Sequence, residues 1–252
     1  MDLARRRLRS AIEAMKALPG EIIEGVYSSQ MEGFFDVENV VFYNIQPATF
    51  RNAARNGLRA RRCRLHSEAY SPGFPHKMDY RLIPTPEIPA SSLVHLSFTP
   101  GRLRSVFDIW WAAANGQAMR TDPVTGAYGI YVELGSSTPP KNPAGKIKSL
   151  FDGIIASIQQ DSLPDTVAVE RLSQRYRIDG ALIKERLANP LVSAIPASRS
   201  KRLVRQFRTG VQWYPADDLC EECTLVVTQK PTPICNAYVY ALANGSEAVH
   251  LS

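Results

Sequence analysis

The sequence predicts a mixed α+β fold in which a sheet of several strands is covered by helices. Strand-like and helix-like stretches alternate three times along the chain, and an additional helical hairpin is inserted in the second half. With 252 residues, the chain is long enough to bury a substantial core. We therefore expect an N-terminal α/β half (1–125) and a C-terminal α+β half (126–252), or one continuous domain that contains both.

The N-terminal half shows helical periodicity at its start and strand-like composition further on. Apolar residues recur at near-helical spacing over 2–18 until Pro19 and Gly20 end the pattern, and β-branched and aromatic residues dominate 37–45. The predicted elements are helices at 2–18, 47–57 and 101–115, and strands at 37–45, 59–65, 78–83 and 94–98.

The C-terminal half begins with a strand at 128–134 and a helix at 144–160. Residues 164–189 predict two helices joined by a tight turn, with Asp179 as the N-cap of the second. Their spacing resembles a DNA-reading helix-turn-helix, although such hairpins also occur as plain packing units. From Val204 onward, alternating residues predict a hairpin or meander.

The distribution of basic residues predicts contact with DNA or RNA. The net charge is +6, and two arginine-rich stretches contain no acidic residue. Arginine matches the geometry of phosphate, so unbalanced clusters of this kind are typical of proteins that bind polyanions. The residues concerned are Arg51, Arg55, Arg59, Arg61, Arg62 and Arg64 in the first stretch, and Arg199, Lys201, Arg202, Arg205 and Arg208 in the second.

The composition favours a cytoplasmic protein without a membrane partner. No run approaches the roughly 18 apolar residues needed to span a bilayer, and the N-terminus lacks the apolar stretch of a secretory signal. Four cysteines are too few for a disulfide scaffold in a chain of this size, so free thiols or metal ligands are expected.

A structural zinc site is one interpretation of the cysteines. Cys220 and Cys223 have the C-x-x-C spacing, and Cys63 with His66 supplies a C-x-x-H pair. Cys235 lies twelve residues beyond Cys223. Four ligands are available only if tertiary structure brings these segments together, and the alternative is that the cysteines pack inside a hairpin.

Several carboxylates predict a magnesium site. Glu133 lies on the strand at 128–134, Asp152 on the following helix one turn after Lys148, and Asp217 and Asp218 at a hairpin end. Metal-dependent phosphodiester cleavage requires carboxylates that converge on Mg²⁺, and a nearby lysine neutralises the scissile phosphate. Each acid also has an ordinary interpretation, because aspartate is common in turns and in exposed helical ion pairs.

Two short segments carry a family resemblance: KSLFDGI (148–154), and PADDLC (215–220) followed by a strand and Lys230. They are similar to the K-x-x-x-D-x-L helix and to the later D-D segment of the RusA-like Holliday junction resolvases. The family has a D-x-D-N motif just before the lysine, where this chain has NPAGKI. The similar string DVEN lies far upstream, at 36–39.

The resemblance implies a small α+β fold, Mg²⁺-dependent cutting of branched DNA and a homodimer. It implies metal-binding or catalytic roles for Asp152 and for Asp217 or Asp218, and a phosphate contact for Lys148. Three classes of function therefore stay open: a metal-dependent nuclease, a non-catalytic nucleic-acid-binding or scaffolding subunit of a larger complex, and a module that binds only protein.

Overall fold

The computed structural model describes residues 2–29, 36–63, 76–101, 103–195 and 202–242. The α-helices in these ranges are α1 (Asp2–Ala14), α2 (Val106–Ala114), α3 (Ile147–Ser157), α4 (Thr166–Tyr176) and α5 (Gly180–Ala188). The strands are β1 (Glu21–Ser29), β2 (Gly57–Cys63), β3 (His76–Pro84), β4 (Ser92–Phe98), β5 (Gln117–Arg120), β6 (Tyr128–Ser136), β7 (Val204–Phe207), β8 (Gly210–Trp213), β9 (Cys220–Gln229) and β10 (Ile234–Ala241).

Eight strands form one mixed sheet in the order β3-β1-β2-β9-β6-β10-β4-β5. The pairs β1–β2 and β6–β9 are parallel, whereas the other pairs are antiparallel. Strands from both halves of the sequence alternate in this order, since β2 pairs with β9 and β4 pairs with β10. The α+β class is thus confirmed, and residues 1–125 and 126–252 share one sheet.

The main core lies between one face of this sheet and the helices α1, α2 and α3. Alternate residues of the strands face this core, among them Ile130, Val132 and Leu134 of β6. The helices contribute buried apolar side chains that include Ile109 and Phe151. This packing fixes α3 against the sheet and so determines where its polar side chains lie.

Glycines allow two close contacts within this core. A Cβ atom at Gly25 of β1 would lie 2.0 Å from Cγ1 of Val41, so the segment that follows Asp36 packs directly on the strand. A Cβ atom at Gly153 of α3 would lie 2.5 Å from Cβ of Ile109 on α2. The second contact sets the spacing between α2 and α3.

A second, smaller core holds the predicted helical hairpin and an isolated ribbon. Helices α4 and α5 and the two-stranded β7–β8 ribbon pack against Phe107 and Trp110 of α2. Asp179 caps α5 as the sequence predicts, because its side chain accepts a hydrogen bond from the backbone N–H of Ala181. Asp165 caps α4 in the same way.

Two predicted elements of the N-terminal half are wrong. Residues 37–45 form a helical segment that includes the π-helical turn Asn39–Tyr43 instead of a strand. The buried residues 37, 41, 42 and 45 recur at helical spacing, and short apolar runs do not distinguish a buried strand from a buried helix. The helix expected at 47–57 is only the 3₁₀ turn Pro47–Phe50, and β2 begins at Gly57.

Helices that could cross a bilayer are not found among the described residues.

Candidate functional site

Four carboxylates gather around the ammonium group of Lys148, and we call them the acidic cluster: Asp36, Glu38, Asp152 and Asp217. The Nζ atom of Lys148 lies 2.7 Å from Oδ2 of Asp36, 3.2 Å from Oδ2 of Asp152 and 4.0 Å from Oδ2 of Asp217. Glu38 lies close enough to both Asp36 and Asp152 for their charges to affect its pKa. The turn that begins at Asp217 and the helix α3 therefore meet in space, together with a third segment near residue 36.

The position of Asp217 is fixed by buried hydrogen bonds next to it. Asp217 begins the 3₁₀ turn Asp217–Leu219, just before β9. The preceding residue, Ala216, donates its N–H to Oε1 of Gln159 at 2.9 Å and accepts a hydrogen bond from the Tyr128 hydroxyl at 2.7 Å. These contacts tie the turn to β6 and to the end of α3. Asp217, and not its neighbour Asp218, is the member of the pair that reaches Lys148.

Asp36 lies at the start of the helical segment that packs on Gly25. Its Oδ2 atom accepts hydrogen bonds from the Lys148 ammonium and from the Asn39 side chain. The hydrogen bond of Asn39 orients the carboxylate toward α3. The π-helical turn begins at this asparagine, and such turns frequently occur at functional sites.

Glu38 is the most buried member of the acidic cluster. It is 2% exposed, and its Oε1 atom has no hydrogen-bond partner within the described part of the chain. A buried carboxylate oxygen without a partner is costly unless the group binds a proton or a cation. Burial, together with the charges of Asp36 and Asp152, raises the pKa of Glu38 to about 8.

The crowding of negative charge sets the protonation of the other members. Burial raises the pKa of Asp152 to about 6, although Lys148 opposes this shift. Burial and the charges of Asp36 and Asp152 raise the pKa of Asp217 well above its usual range, and its carboxyl is hydrogen-bonded to Asp36. At neutral pH, Asp152 is thus ionised, whereas Glu38 and Asp217 retain protons.

Lys148 remains charged within the acidic cluster. Burial lowers its pKa, but the carboxylates of Asp152 and Asp36 outweigh burial, so that the pKa of Lys148 lies above its usual value. The described residues contain no three His, Cys, Asp or Glu side chains already arranged as metal ligands. The carboxylates converge on the ammonium group instead.

The chemistry of the acidic cluster fits a hard divalent cation. Carboxylate oxygens are the ligands that Mg²⁺ prefers, and the Oε1 atom of Glu38, which has no partner among the described residues, is a buried acceptor with unused capacity. Four carboxylates beside one lysine also leave more negative than positive charge when all of them ionise. A cation would relieve that excess.

Glu133 does not belong to the acidic cluster. On β6, Ile130, Val132 and Leu134 face the main core with α3, whereas Tyr131 packs on the other side of the sheet. Glu133 shares the face of Tyr131, because side chains alternate along a strand. Burial raises the pKa of Tyr131, and the charge of Glu133 raises it further. The catalytic role predicted for Glu133 is therefore corrected: the sheet separates it from Lys148.

The described residues do not gather a zinc quartet. The Sγ atoms of Cys220 and Cys223 lie 3.3 Å apart in a buried position next to the acidic cluster, and all four cysteines are free. Cys235 lies on β10, two strands away from β9 and four residues along in register, which separates it from Cys223 by roughly 16 Å. His66 lies outside the described residues.

The first arginine stretch is more balanced than the sequence indicates. Arg59 and Arg61 of β2 form ion pairs with the buried Glu24 of β1 and with Glu222 of β9, and Arg81 joins Glu24 at 2.7 Å. Neighbouring strands thus supply the acids that are absent from the local sequence. The correction is that Arg59 and Arg61 are occupied in an internal ion-pair network.

The other basic residues differ in their surroundings. Arg51 and Arg55 are exposed beside the Pro47–Phe50 turn, and Arg62 is partly exposed on β2. Arg202 is exposed and pairs with Asp165, whereas Arg205 and Arg208 lie on the β7–β8 ribbon. The remaining predicted contacts lie outside the described residues: Arg64, Arg199 and Lys201.

A separate cavity of about 360 Å³ opens near the start of α3. Its lining includes Arg104, Lys146 and Leu134, and none of the four carboxylates is among its described lining residues. Small-molecule sites are usually enclosed apolar pockets. The acidic cluster therefore lies apart from this cavity.

Asp36 and Glu38 were not predicted as members of the site, although both belong to the string DVEN at 36–39. Its distance of more than 100 residues from Lys148 hid the relationship, which only the packing of the helical segment on β1 reveals.

Comparisons with protein-family models, with curated proteins and with solved structures find no match to this chain.

Proposed function

We propose that this chain is a nucleic-acid-binding protein that hydrolyses phosphodiester bonds with Mg²⁺ held by the acidic cluster. One observation supports the proposal above the others. Four carboxylates from three distant segments meet around a single lysine, and one of them is a buried glutamate with an oxygen that no described residue hydrogen-bonds. Carboxylates hold the metal ion in metal-dependent phosphodiester cleavage, and a nearby lysine can neutralise the scissile phosphate.

The residues of the acidic cluster have distinct roles in this proposal. When bound, Mg²⁺ supplies an activated water and stabilises the charge that develops on the phosphate. The carboxyl oxygens of Asp36, Glu38, Asp152 and Asp217 would hold the ion, and Glu38 and Asp217 would give up their protons on binding it. Lys148 turns from the carboxylates toward the scissile phosphate, which its flexible stem permits.

The substrate is proposed to be DNA or RNA. Exposed arginines beside the Pro47–Phe50 turn and on the β7–β8 ribbon provide cations for phosphate contacts. The four free thiols suit a reducing compartment, and we place the protein in the cytoplasm.

A cleavage assay with defined variants tests the proposal. Labelled linear and branched DNA, and RNA of the same sequence, are incubated with Mg²⁺ and with wild type, Asp152→Asn or Asp217→Asn. We expect wild type to cut at least one substrate. Each variant should lose activity by about 100-fold or more, because each removes a group that stabilises the transition state.

Glu133→Gln is the matched control, since it also replaces a carboxylate with an amide but lies across the sheet from Lys148. It should cleave like wild type, and circular dichroism should show that all variants are folded. Equal cleavage by wild type and Asp152→Asn would rule out the acidic cluster as the catalytic centre.

A non-catalytic nucleic-acid-binding subunit is the second candidate function. It is favoured by the position of Lys148, whose ammonium occupies the point on which the carboxylates converge. In that case the chain binds DNA or RNA but does not cut it under any metal condition. Binding that weakens steeply with added salt, without cleavage, identifies this function. Absence of binding favours a module that contacts only protein.

A further inference from the structure

The β7–β8 ribbon forms a sheet of its own, separate from the eight-stranded sheet. Its turn, residues 207–210, is exposed and carries a basic and an aromatic side chain, and we call it the tip. From Arg202 to Trp213 the sequence contains three arginines and no acidic residue. Phe207, the last residue of β7, is 49% exposed, and the guanidinium of Arg208 lies 5.3 Å from the centre of its ring. On the same ribbon, the Arg205 guanidinium stacks over the ring of Tyr214 at 4.8 Å.

The tip is held in a fixed geometry although a lone two-stranded ribbon is marginally stable. Arg171 of α4 donates hydrogen bonds to the backbone oxygens of Arg208 and Gly210, at 2.7 and 2.9 Å. At the other end, Trp213 packs against Trp110 of the second core, with ring centres 5.4 Å apart. Anchoring at both ends makes the tip a preorganised binding surface, which reduces the entropy lost on binding.

Arg208 occupies a backbone conformation that favours glycine. Its φ is 49°, in the left-handed region, at the turn between β7 and β8. An arginine in this conformation is strained relative to glycine, and such outliers occur preferentially where a side chain has a functional role. The turn therefore presents a guanidinium next to an exposed phenyl ring at a cost in backbone strain.

The ribbon is also directly connected to the acidic cluster. Gly210 and Asp217 are seven residues apart, so the tip lies within about 25 Å of Asp217 along the chain. A nucleic-acid strand rises about 3.4 Å per nucleotide, so a strand at the acidic cluster reaches the tip within roughly seven nucleotides.

We infer that the β7–β8 ribbon binds single-stranded nucleic acid, with an unpaired base stacked on Phe207 and its phosphate held by Arg208. Exposed aromatic rings beside arginines are the usual means by which proteins hold unpaired bases, because every base presents a flat face for stacking. A paired duplex leaves no base free for this contact. The inference rests on the proposed handling of nucleic acid and adds the form of the substrate.

Fluorescence anisotropy in EDTA measures this binding without cleavage. The probes are a labelled oligothymidylate, longer than the roughly 4–16 nucleotides that such grooves cover, and a blunt duplex of equal length. Phe207→Ala should weaken binding of the single strand by about 5- to 100-fold, and binding of the duplex by less than about twofold. Phe207→Tyr should restore it, since tyrosine also offers a flat ring.

Arg208→Gly fits the backbone and removes only the side chain, so it should weaken binding and reduce its salt dependence by about one ion. Leu163→Ala, which removes an apolar side chain that is 68% exposed elsewhere, is the control and should bind like wild type. The inference is overturned if Phe207→Ala and Leu163→Ala bind alike, if single strand and duplex are affected equally, or if neither probe binds wild type.

The same measurement distinguishes this inference from the proposed hydrolysis. If wild type does not cleave but binding depends on Phe207, the nuclease proposal fails and the role of the ribbon stands. If cleavage depends on Asp152 while Phe207→Ala binds normally, the role of the ribbon fails and the nuclease proposal stands.

Discussion

Lys148 and Asp36 are 112 residues apart in the sequence, and their side chains form an ion pair with an Nζ–Oδ2 distance of 2.7 Å. This contact joins α3 to the helical segment that packs on β1. Because the acidic cluster is assembled only by folding, its charges affect both the stability of the chain and its affinity for cations.

Glu38→Gln should change the dependence of stability on pH. The folded-state pKa of Glu38 is raised from 4.5 to about 8. Its contribution to the free energy of unfolding is therefore fully present below pH 4.5 and is lost as the pH rises through about 8. The amide cannot ionise, so we expect the variant to be more stable than wild type at pH 9, by a few kcal/mol.

Chemical denaturation at pH 5, 7 and 9 without divalent metal checks this expectation. Glu133→Gln, whose carboxylate lies on the other face of the sheet, should follow the wild-type pH profile. Wild type and Glu38→Gln profiles that run parallel would contradict the buried, protonated state of Glu38.

Binding of Mg²⁺ should release protons. At pH 7 the protons on Glu38 and Asp217 must leave before their oxygens bind a cation. Calorimetric titration with MgCl₂ in two buffers of different ionisation enthalpy should show release of about one to two protons per ion. Affinity should rise with pH between 6 and 9.

Asp217→Asn separates the contributions of the two protonated acids. It should release about one proton fewer than wild type and bind Mg²⁺ more weakly. Binding without any buffer dependence would mean that the cation does not displace these protons.

Lys148→Gln should destabilise the chain and make it depend on divalent cations. Removal of the ammonium leaves Asp36 and Asp152 without their nearest positive partner. Because Lys148 is partly exposed, solvent reduces the effect, and we expect a loss of about 1–2 kcal/mol at pH 8. Added MgCl₂ should recover most of this loss in a thermal-shift measurement, since it supplies the missing charge.

Lys77→Gln is the matched control, because Lys77 also pairs with an aspartate, Asp79, but on the exposed part of β3. Its stability should change little, and MgCl₂ should have no specific effect. If Lys148→Gln is as stable as wild type at pH 8, the lysine does not balance the acidic cluster.

The sequence was informative where a local pattern determines the structure. The strand at 128–134, the helix with Lys148 and Asp152, and the N-cap at Asp179 follow from periodicity and capping, and the structure contains all of them. The same patterns placed Asp217 in a turn before a strand, although its approach to Lys148 required the assumption that two segments converge.

Tertiary context accounts for what the sequence did not predict. Strand β1 includes a buried acid, Glu24, and a glycine, so its composition is not typical of a strand, yet both residues serve contacts with other strands and helices. Similarly, the acids that balance Arg59 are 35 and 163 residues away in sequence. No local count of charge shows such a pair. Glu133 was wrongly predicted as a site residue, because the alternation of side chains along a strand does not tell which face of the sheet will bear the site.

Gly153→Ala should disturb the acidic cluster through the packing of α3. The new Cβ atom would lie 2.5 Å from Cβ of Ile109 and 2.9 Å from the carbonyl oxygen of Val106, so α2 and α3 must move apart. We expect a loss of about 1–3 kcal/mol in the free energy of unfolding and weaker Mg²⁺ binding, since α3 positions Lys148 and Asp152. Gly145→Ala, where the nearest atom is 3.5 Å away, should change neither.

Arg59→Ala and Arg55→Ala should separate structural from binding arginines. Arg59 donates two hydrogen bonds to Oε1 of Glu222, at 3.1 and 2.7 Å, and lies 3.7 Å from Glu24, so its removal takes one cationic partner away from each of these buried carboxylates. We expect a loss of about 2–4 kcal/mol in the free energy of unfolding. Arg55 is exposed, and within the described ranges its side chain makes one long contact, with its neighbour Asn56, so its loss should alter stability by less than about 0.5 kcal/mol.

The effect on nucleic-acid binding should be the reverse. Arg55→Ala should weaken oligonucleotide binding and lower its salt dependence by about one ion. A further variant, Arg59→Lys, retains the charge but not the forked donor. It should lose stability and bind nearly as wild type does. Denaturant unfolding and anisotropy at several salt concentrations measure both quantities. Strong loss of binding by Arg59→Lys at unchanged stability would show that this arginine faces the nucleic acid rather than Glu222.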